Sequence, residues 1–452
     1  MTAELVSPAP RPRGLLASLR MWGATIAIGL IVLPIILIQP WTTYLNQGPI
    51  RSDGLGYFAW TRAVTDGGFS FCQYRWVEAQ GTVKVPRPTK AHPDAMLCMD
   101  KYPPGLAILQ FPVMAPLSAR ADPTNPVSSA QHEASLWLGA LALVGTCAMV
   151  TAIARRLGAT GWGVQLAVLA FTFGAGLFAY GTYLASFVHI HVALLVSLLI
   201  WAGVRIRQDG RNRVTACVGL LAGFFIVSMR NIDLSIIIIL VAGYAGWAWR
   251  AGTGTALARA RQLARDLVPL AIGIAGATTL QLLLNRYTFG HFALSSYKGE
   301  DFLFDRPLQR QVLFSYTRGF FVYAPVAFFT LIAGLMVARA RAVTALYAVL
   351  VAALATIYGF WGSWALGAGA GYGHRGFIDV APVGMLAAAL ILTHAKPAMR
   401  TIFAVLAVGS ALWSAQLMIL MFGYHYPEYT VDAHTYWSHT IGRDSLFGRM
   451  FR

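Results

Sequence analysis

The chain has 452 residues, of which 57% are hydrophobic and 12% charged, with a formal net charge of +17. Mean hydropathy is +0.59. Too few polar residues exist to cover a water-facing surface, which excludes a soluble globule, and the basic excess is explained below without nucleic acid.

Apolar runs near the length that crosses a bilayer recur along the chain. They fall at about 21–39, 132–154, 162–180, 187–204, 214–229, 234–249, 267–285, 319–337, 342–360, 376–394 and 399–421. Each must be helical, because lipid offers the backbone no partners. The expected fold is an all-α polytopic membrane protein of about 11 transmembrane helices, a single membrane domain over 1–452. No internal repeat period is obvious.

Residues 1–20 form the expected cytoplasmic tail. The first apolar run is long and no small-residue cleavage site follows it at Gln39-Pro-Trp-Thr-Thr, so it reads as an uncleaved helix. A long outer loop, 40–131, comes next. It holds Arg51-Ser-Asp-Gly-Leu-Gly-Tyr57, with Asp53 the first carboxylate after the first span. Residues 54–66 can form a helix on the membrane surface. Residues 72–100 read as a lid-like loop. Residues 104–118 are apolar but short and Pro-broken, and read as a second interfacial helix. Cys72 and Cys98 share this loop and are expected to pair in an oxidising compartment. Cys147 and Cys217 lie within spans as small core residues.

The connections near 155–161, 205–213, 250–266, 338–341 and 395–400 are rich in arginine, while those near 181–186, 230–233 and 361–375 hold only Arg230 and Arg375. By the positive-inside rule the first set is cytoplasmic. The N-terminus is then inside, and 40–131, 286–318 and the tail 422–452 are outside. The net charge is mostly this anchor set. The 250–265 connection can also lie on anionic lipid as a short amphipathic helix.

Acid chemistry then belongs on the outer face. Asp53 suits a general base; its plainer role is to cap the 54–66 helix. Tyr57, one turn on, can orient Asp53, stack on a sugar or anchor at the interface. Lys101, Arg318, His374 and Arg375 can hold a phosphate, arginine through its planar fork. Asp379, four residues after Arg375 on one helical face, either pairs with it or orients it. Arg318 precedes a helix start at Gly319, where N–H groups also suit a phosphate, or it snorkels. Arg230 and Asp233 read as a local ion pair. His189 and His191 mark a span end. Glu300, Asp301 and Asp305 make a small acidic cluster in a solvated loop. No metal-type Cys/His cluster exists.

Asp53 to Tyr57, then Lys101-Tyr-Pro-Pro-Gly105, then a span ending in Ala154-Arg-Arg-Leu-Gly158, resembles the GT-C glycosyltransferases. The bacterial branch with protein mannosyltransferase-like and lipid A aminoarabinose transferase-like enzymes is the nearest in look. Ser186-Phe-Val-His-Ile-His191, Ser315-Tyr-Thr-Arg-Gly-Phe-Phe-Val-Tyr-Ala-Pro325 and Gly371-Tyr-Gly-His-Arg-Gly-Phe-Ile-Asp-Val-Ala-Pro382 extend the likeness. One departure is that Ser52, where many members carry a second acid, precedes Asp53.

The resemblance implies sugar transfer from a polyprenyl-phosphate donor to a lipid, glycan or protein acceptor on the outer face of a bacterial inner membrane. It implies inversion, Asp53 as base, and Lys101, Tyr102, Arg318, His374 and Arg375 on the donor phosphate. Tyr57, His189 and His191 then serve substrate binding. The expected partners are the lipid-linked sugar, an acceptor of unknown class and the bilayer, with no nucleic acid. No cofactor is assigned; a divalent metal would fit the family but lacks a ligand cluster. The rival readings are a transporter or flippase of a lipid-linked substrate, a non-catalytic membrane scaffold, and a ligase-type glycan transferase. A transporter would place ionisable or unwound segments near mid-membrane in matched halves, whereas here the charges crowd the outer ends.

Overall fold

The structure is a computed structural model that describes residues 15–38, 48–66, 83–84, 99–118, 127–293, 302–361, 371–422 and 431–442. Cys72, Cys98, Glu300 and Asp301 lie outside the described residues. The described chain is almost wholly helical. Its exception is an antiparallel pair of two-residue strands, β1 (Val83–Lys84) and β2 (Met99–Asp100), with Val83 opposite Asp100.

Among the described residues eight helices are long and apolar enough to cross a membrane. They match eight of the expected spans. The other three expected spans fall on shorter apolar helices, Gly161–Gly174, Arg213–Met229 and Pro325–Met336. Two of these runs break, each for a local cause. The run at 162–180 stops at Gly174 and restarts after Gly176, whose φ of 82° is left-handed. The run at 214–229 is matched end to end by one unbroken helix of 17 residues, which stops where expected, before Arg230, whose backbone is extended. The run at 319–337 breaks at Ala324, before Pro325 opens a new helix.

The chain divides into two compact units. One comprises Asn46–Gly139 and Leu184–Gly299. In it, α2 (Asp53–Thr65) packs on α3 (Gly105–Ser118), and α3 in turn packs on α8 (Arg213–Met229). The start of α4 (Ser129–Arg156) joins them. Ile50, Phe58, Met114 and Val127 form the small core there. Gln131 Nε2 donates to the Met114 carbonyl and to Ser118 Oγ, satisfying polar groups inside it. The α7 helix (His189–Asp209) packs on α8. The most extensive packing of the chain is between α8 and α10 (Ala256–Phe289). Its cause is legible in Gly219-Leu-Leu-Ala-Gly223, which lets the backbones approach as small residues do in lipid. A Cβ on Gly223 would lie 2.6 Å from the Leu270 carbonyl oxygen. The 256–266 stretch is the opening of α10 rather than a separate surface helix, the helix running on through Pro269 into the span. Between α8 and α10 come a 3₁₀ turn (Asn231–Asp233) and α9 (Leu234–Ala251).

The other unit comprises Met1–Leu45, Ala140–Tyr183 and Glu300–Arg452. Here α5 (Gly161–Gly174) is the hub, packed against α1 (Leu15–Ile38), α15 (Ala381–His394) and α16 (Pro397–Phe422). The α15 helix also meets α13 (Pro325–Met336) and α14 (Arg341–Phe360) and is buried along nearly its whole length. The short α6 (Leu177–Gly181), α11 (Gln309–Phe314), α12 (Phe320–Tyr323) and α17 (Ala433–Thr440) complete the unit.

Cys147 is buried as expected, but Cys217 is exposed. It shares the outward stripe of α8 with Val214 and Leu221, at the i, i+3, i+4 spacing of one helical face.

Candidate functional site

Asp53 is the first residue of α2 and is buried. The helix-capping position falls to Ser52 instead, whose side chain makes no capping bond and whose φ is 47°. A positive φ outside glycine costs energy and marks a position held by its surroundings. Ser52 Oγ lies 3.5 Å from Asp53 Oδ1. The plainer reading of Asp53 as the helix cap is therefore not met, and Asp53 is a buried first-turn acid, a placement the helix N-terminus favours electrostatically.

Two glycines after Asp53 permit close approach. A Cβ on Gly54 would collide with Ser186, whose hydroxyl donates to the Pro49 carbonyl at 2.7 Å. A Cβ on Gly56 would collide with the Tyr102 ring. The Tyr57 ring stands 4.8 Å from that of Tyr102, and Trp60 Nε1 donates to the Tyr102 carbonyl at 2.7 Å. Tyr57 is thus buried against Tyr102 rather than presented as a platform. Pro103 and Pro104 carry the chain into α3. Gly105 opens that helix against the backbone of Ser228 and Met229. Lys101 Nζ lies 5.3 Å from the centre of the Tyr102 ring.

The histidines take separate places. His189 opens α7, and its Nδ1 is 3.4 Å from Arg230 Nη1. Arg230 Nη1 is also 3.5 Å from Asp233 Oδ1, so the expected local pair is present and includes a histidine. His191 is buried with its Nε2 3.2 Å from Gln110 Nε2, a polar tie between α7 and α3.

Asp100 is the residue that sequence reasoning missed. It is 4% exposed. Its Oδ1 accepts the Tyr102 N–H at 2.9 Å, while its Oδ2 is buried with no hydrogen-bond partner among the described residues. Burial pushes its carboxyl well above the usual carboxylate range, against the opposing pull of the Tyr102 N–H and of Lys101. The signal in the sequence was its position immediately before Lys101-Tyr-Pro-Pro. Burial was not legible, so the acid passed for a solvated neighbour of the lysine.

The other unit holds Arg318, His374 and Arg375, all buried. Gly371 brings the arginines to one spot. A Cβ there would lie 2.9 Å from the Tyr180 hydroxyl, 3.7 Å from Arg318 Nη1 and 3.9 Å from Arg375 Cδ. Tyr180 donates to the Tyr372 carbonyl at 3.1 Å, and Tyr372 donates to the Ser414 carbonyl at 2.9 Å. The His374 ring lies 4.8 Å from that of Tyr358 and 5.2 Å from that of Phe377. A cavity of about 10 Å³ bounded by Tyr323, Tyr372 and His374 has room for one water molecule and not for a sugar.

Two expectations for this unit meet a different backbone. Arg375–Val380 is a 3₁₀ turn. The argument from α-helical i, i+4 spacing therefore does not apply to Arg375 and Asp379, both of which are buried in this turn. The helix after Arg318 is only Phe320–Tyr323, too short to offer a phosphate a run of aligned N–H groups. In the 286–318 loop, Asp305 is exposed and 3.6 Å from Arg306, a solvated pair.

Among the described residues no group of three or more His, Cys, Asp or Glu side chains is placed to hold a metal ion. No family model, curated protein or solved structure matches the chain.

Proposed function

We propose that this chain is a GT-C-type membrane glycosyltransferase. It moves a sugar from a polyprenyl-phosphate donor to a lipid, glycan or protein acceptor on the outer face of a bacterial inner membrane, with inversion. Asp53 is the general base. It takes the proton of the acceptor hydroxyl as that oxygen bonds to the anomeric carbon. The bond from that carbon to the phosphate oxygen breaks, and the phosphate leaves with the electron pair. A lipid phosphate is a good leaving group, so no strong general acid is required. Lys101 and the Tyr102 turn are assigned to the donor phosphate. Arg318 and Arg375, gathered near Gly371, are with His374 an anion-binding candidate of their own unit, and Arg375→Ala should weaken donor binding.

The observation that carries this reading is Asp53 itself. It is a buried carboxylate at the start of the first helix after the first apolar span, held on a strained Ser52 and packed through Gly56 and Trp60 onto the Lys101–Tyr102 turn. Acids at a membrane boundary lean toward function, and a helix cap does not explain this one.

The test is Asp53→Asn, which keeps shape but accepts no proton. Turnover of a polyprenyl-phosphate sugar should fall by about 10²–10⁴-fold, with lipid-phosphate binding retained. Near-normal turnover in a folded Asp53→Asn enzyme would remove the base.

The proposed orientation has the N-terminus inside and the C-terminus outside. It counts the three shorter apolar helices at 161–174, 213–229 and 325–336 as crossings, which with the eight long ones makes about 11. Cysteines placed at positions 80 and 300 should label from outside, and one at 255 should not. Outside labelling at 255 refutes the orientation.

A further inference from the structure

Asp100 closes a tight turn through Oδ1, which accepts the N–H of the residue two positions on. That local role accounts for one carboxyl oxygen. It leaves Oδ2 buried without a partner among the described residues. An ionised carboxylate oxygen in such a place is disfavoured, which shifts the group toward its proton-bearing form. A neutral carboxyl carries an O–H, and a buried O–H needs an acceptor.

The turn around it is fixed rigidly. The Tyr102 carbonyl is held by Trp60, the Tyr102 ring by Tyr57 and Gly56, and the following Gly105 by the backbone of α8. The next residue, Lys101, supplies a cation beside the acid. A neutral O–H donor next to an ammonium suits an anion with several acceptor oxygens, whereas a carboxylate there would repel it.

We propose that Asp100 is a second acid of the site, protonated when substrate binds, and that it donates a hydrogen bond to a phosphate oxygen of a lipid-linked phosphate. The assignment rests on the donor class proposed above. No proton leaves Asp100 in the reaction. As the bond to the anomeric carbon breaks, charge grows on the phosphate and the hydrogen bond strengthens. Asp53 and Asp100 thus do opposite work, one accepting a proton and the other keeping it. The charged and titratable groups on the elements around this turn are Lys101 and Tyr102 beside it, Asp53, Tyr57 and Arg62 on α2, Lys84 on the paired strand, and Arg230 and Asp233 past the end of α8.

The experiment is binding of polyprenyl monophosphate to the purified full chain in lipid nanodiscs, as a function of pH. Wild-type affinity should weaken as pH rises and Asp100 ionises. Asp100→Asn presents an N–H that does not titrate. It should bind within about threefold of wild type at low pH and lose the decline with rising pH that the ligand's own titration does not cause. Asp100→Ala should bind about 10–100-fold more weakly, the scale of one hydrogen bond to a charged group. If Asp100→Ala does not fold, the isosteric Asp100→Asn carries the test through its pH profile. An asparagine variant that keeps the wild-type pH profile, or loses as much affinity as alanine, overturns the proposal. The second result is what a charged or metal-holding carboxylate would give. An alanine variant that binds like wild type also overturns it, leaving the donor reading intact. A wild-type chain that binds no polyprenyl phosphate overturns the donor reading and this assignment together. Inorganic phosphate should not compete at equal concentration; equal competition would refute the lipid-linked ligand.

Discussion

Arg230 and Asp233 are buried together at the end of α8, with Nη1 of the arginine 3.5 Å from Oδ1 of the aspartate. The arginine stops α8 in an extended conformation, the aspartate closes the 3₁₀ turn that follows, and His189 Nδ1 approaches the same Nη1. Breaking a buried pair from one side leaves an uncompensated charge. Arg230→Ala should destabilise the protein by about 3–5 kcal/mol, while Arg230→Leu with Asp233→Leu should be nearly neutral. Thermal unfolding in mild detergent reads both. An Arg230→Ala protein as stable as wild type would show that the pair is not structural.

Trp60 ties the helix bearing Asp53 to the turn bearing Lys101, through its indole N–H and the Tyr102 carbonyl. Trp60→Phe keeps an aromatic ring and removes the donor. The carbonyl is then left buried and unsatisfied, at a cost of about 1–3 kcal/mol. Turnover should fall together with stability, because the turn is no longer registered on α2. If unfolding and transfer assays both match wild type, the hydrogen bond neither stabilises the fold nor positions the site.

Much of this architecture is legible in the sequence, because hydropathy over a bilayer's length is a strong signal. It locates eight helices long enough to cross. It overruns at Gly174–Gly176 and misses the break at Ala324–Pro325, where one residue's backbone ends a helix inside an apolar run that remains apolar. Composition averaged over about 20 residues does not register such a break. The i, i+4 spacing of Arg375 and Asp379 carries no information for a related reason, since it has meaning only in an α-helix and this segment is 3₁₀. Asp53 was legible because a lone acid after a span is conspicuous. Asp100 was not, because its significance lies in burial and in one unpartnered oxygen, and both depend on what α2 and α3 place around it.

The same burial makes stability depend on pH. The Asp100 carboxyl lies well above the usual range in the folded chain, burial being the first cause. In the unfolded chain it titrates near the ordinary value of about 3.9. Between the two values the folded state holds a proton that the unfolded state has lost, so stability decreases as pH rises. Its contribution is fully present below the unfolded value and is gone above the folded one. Asp432 acts at the other end. It caps α17, and the Thr435 backbone N–H holds its carboxyl below the usual range, so its contribution is lost as pH falls. Unfolding of wild type and Asp100→Asn across the pH range separates the two. The asparagine variant should lose the decline that sets in as pH rises above the unfolded value of Asp100 and keep the acid-side loss from Asp432. Parallel curves for the two proteins would mean that Asp100 is ionised in the folded state, and the proton-bearing role would fail with it.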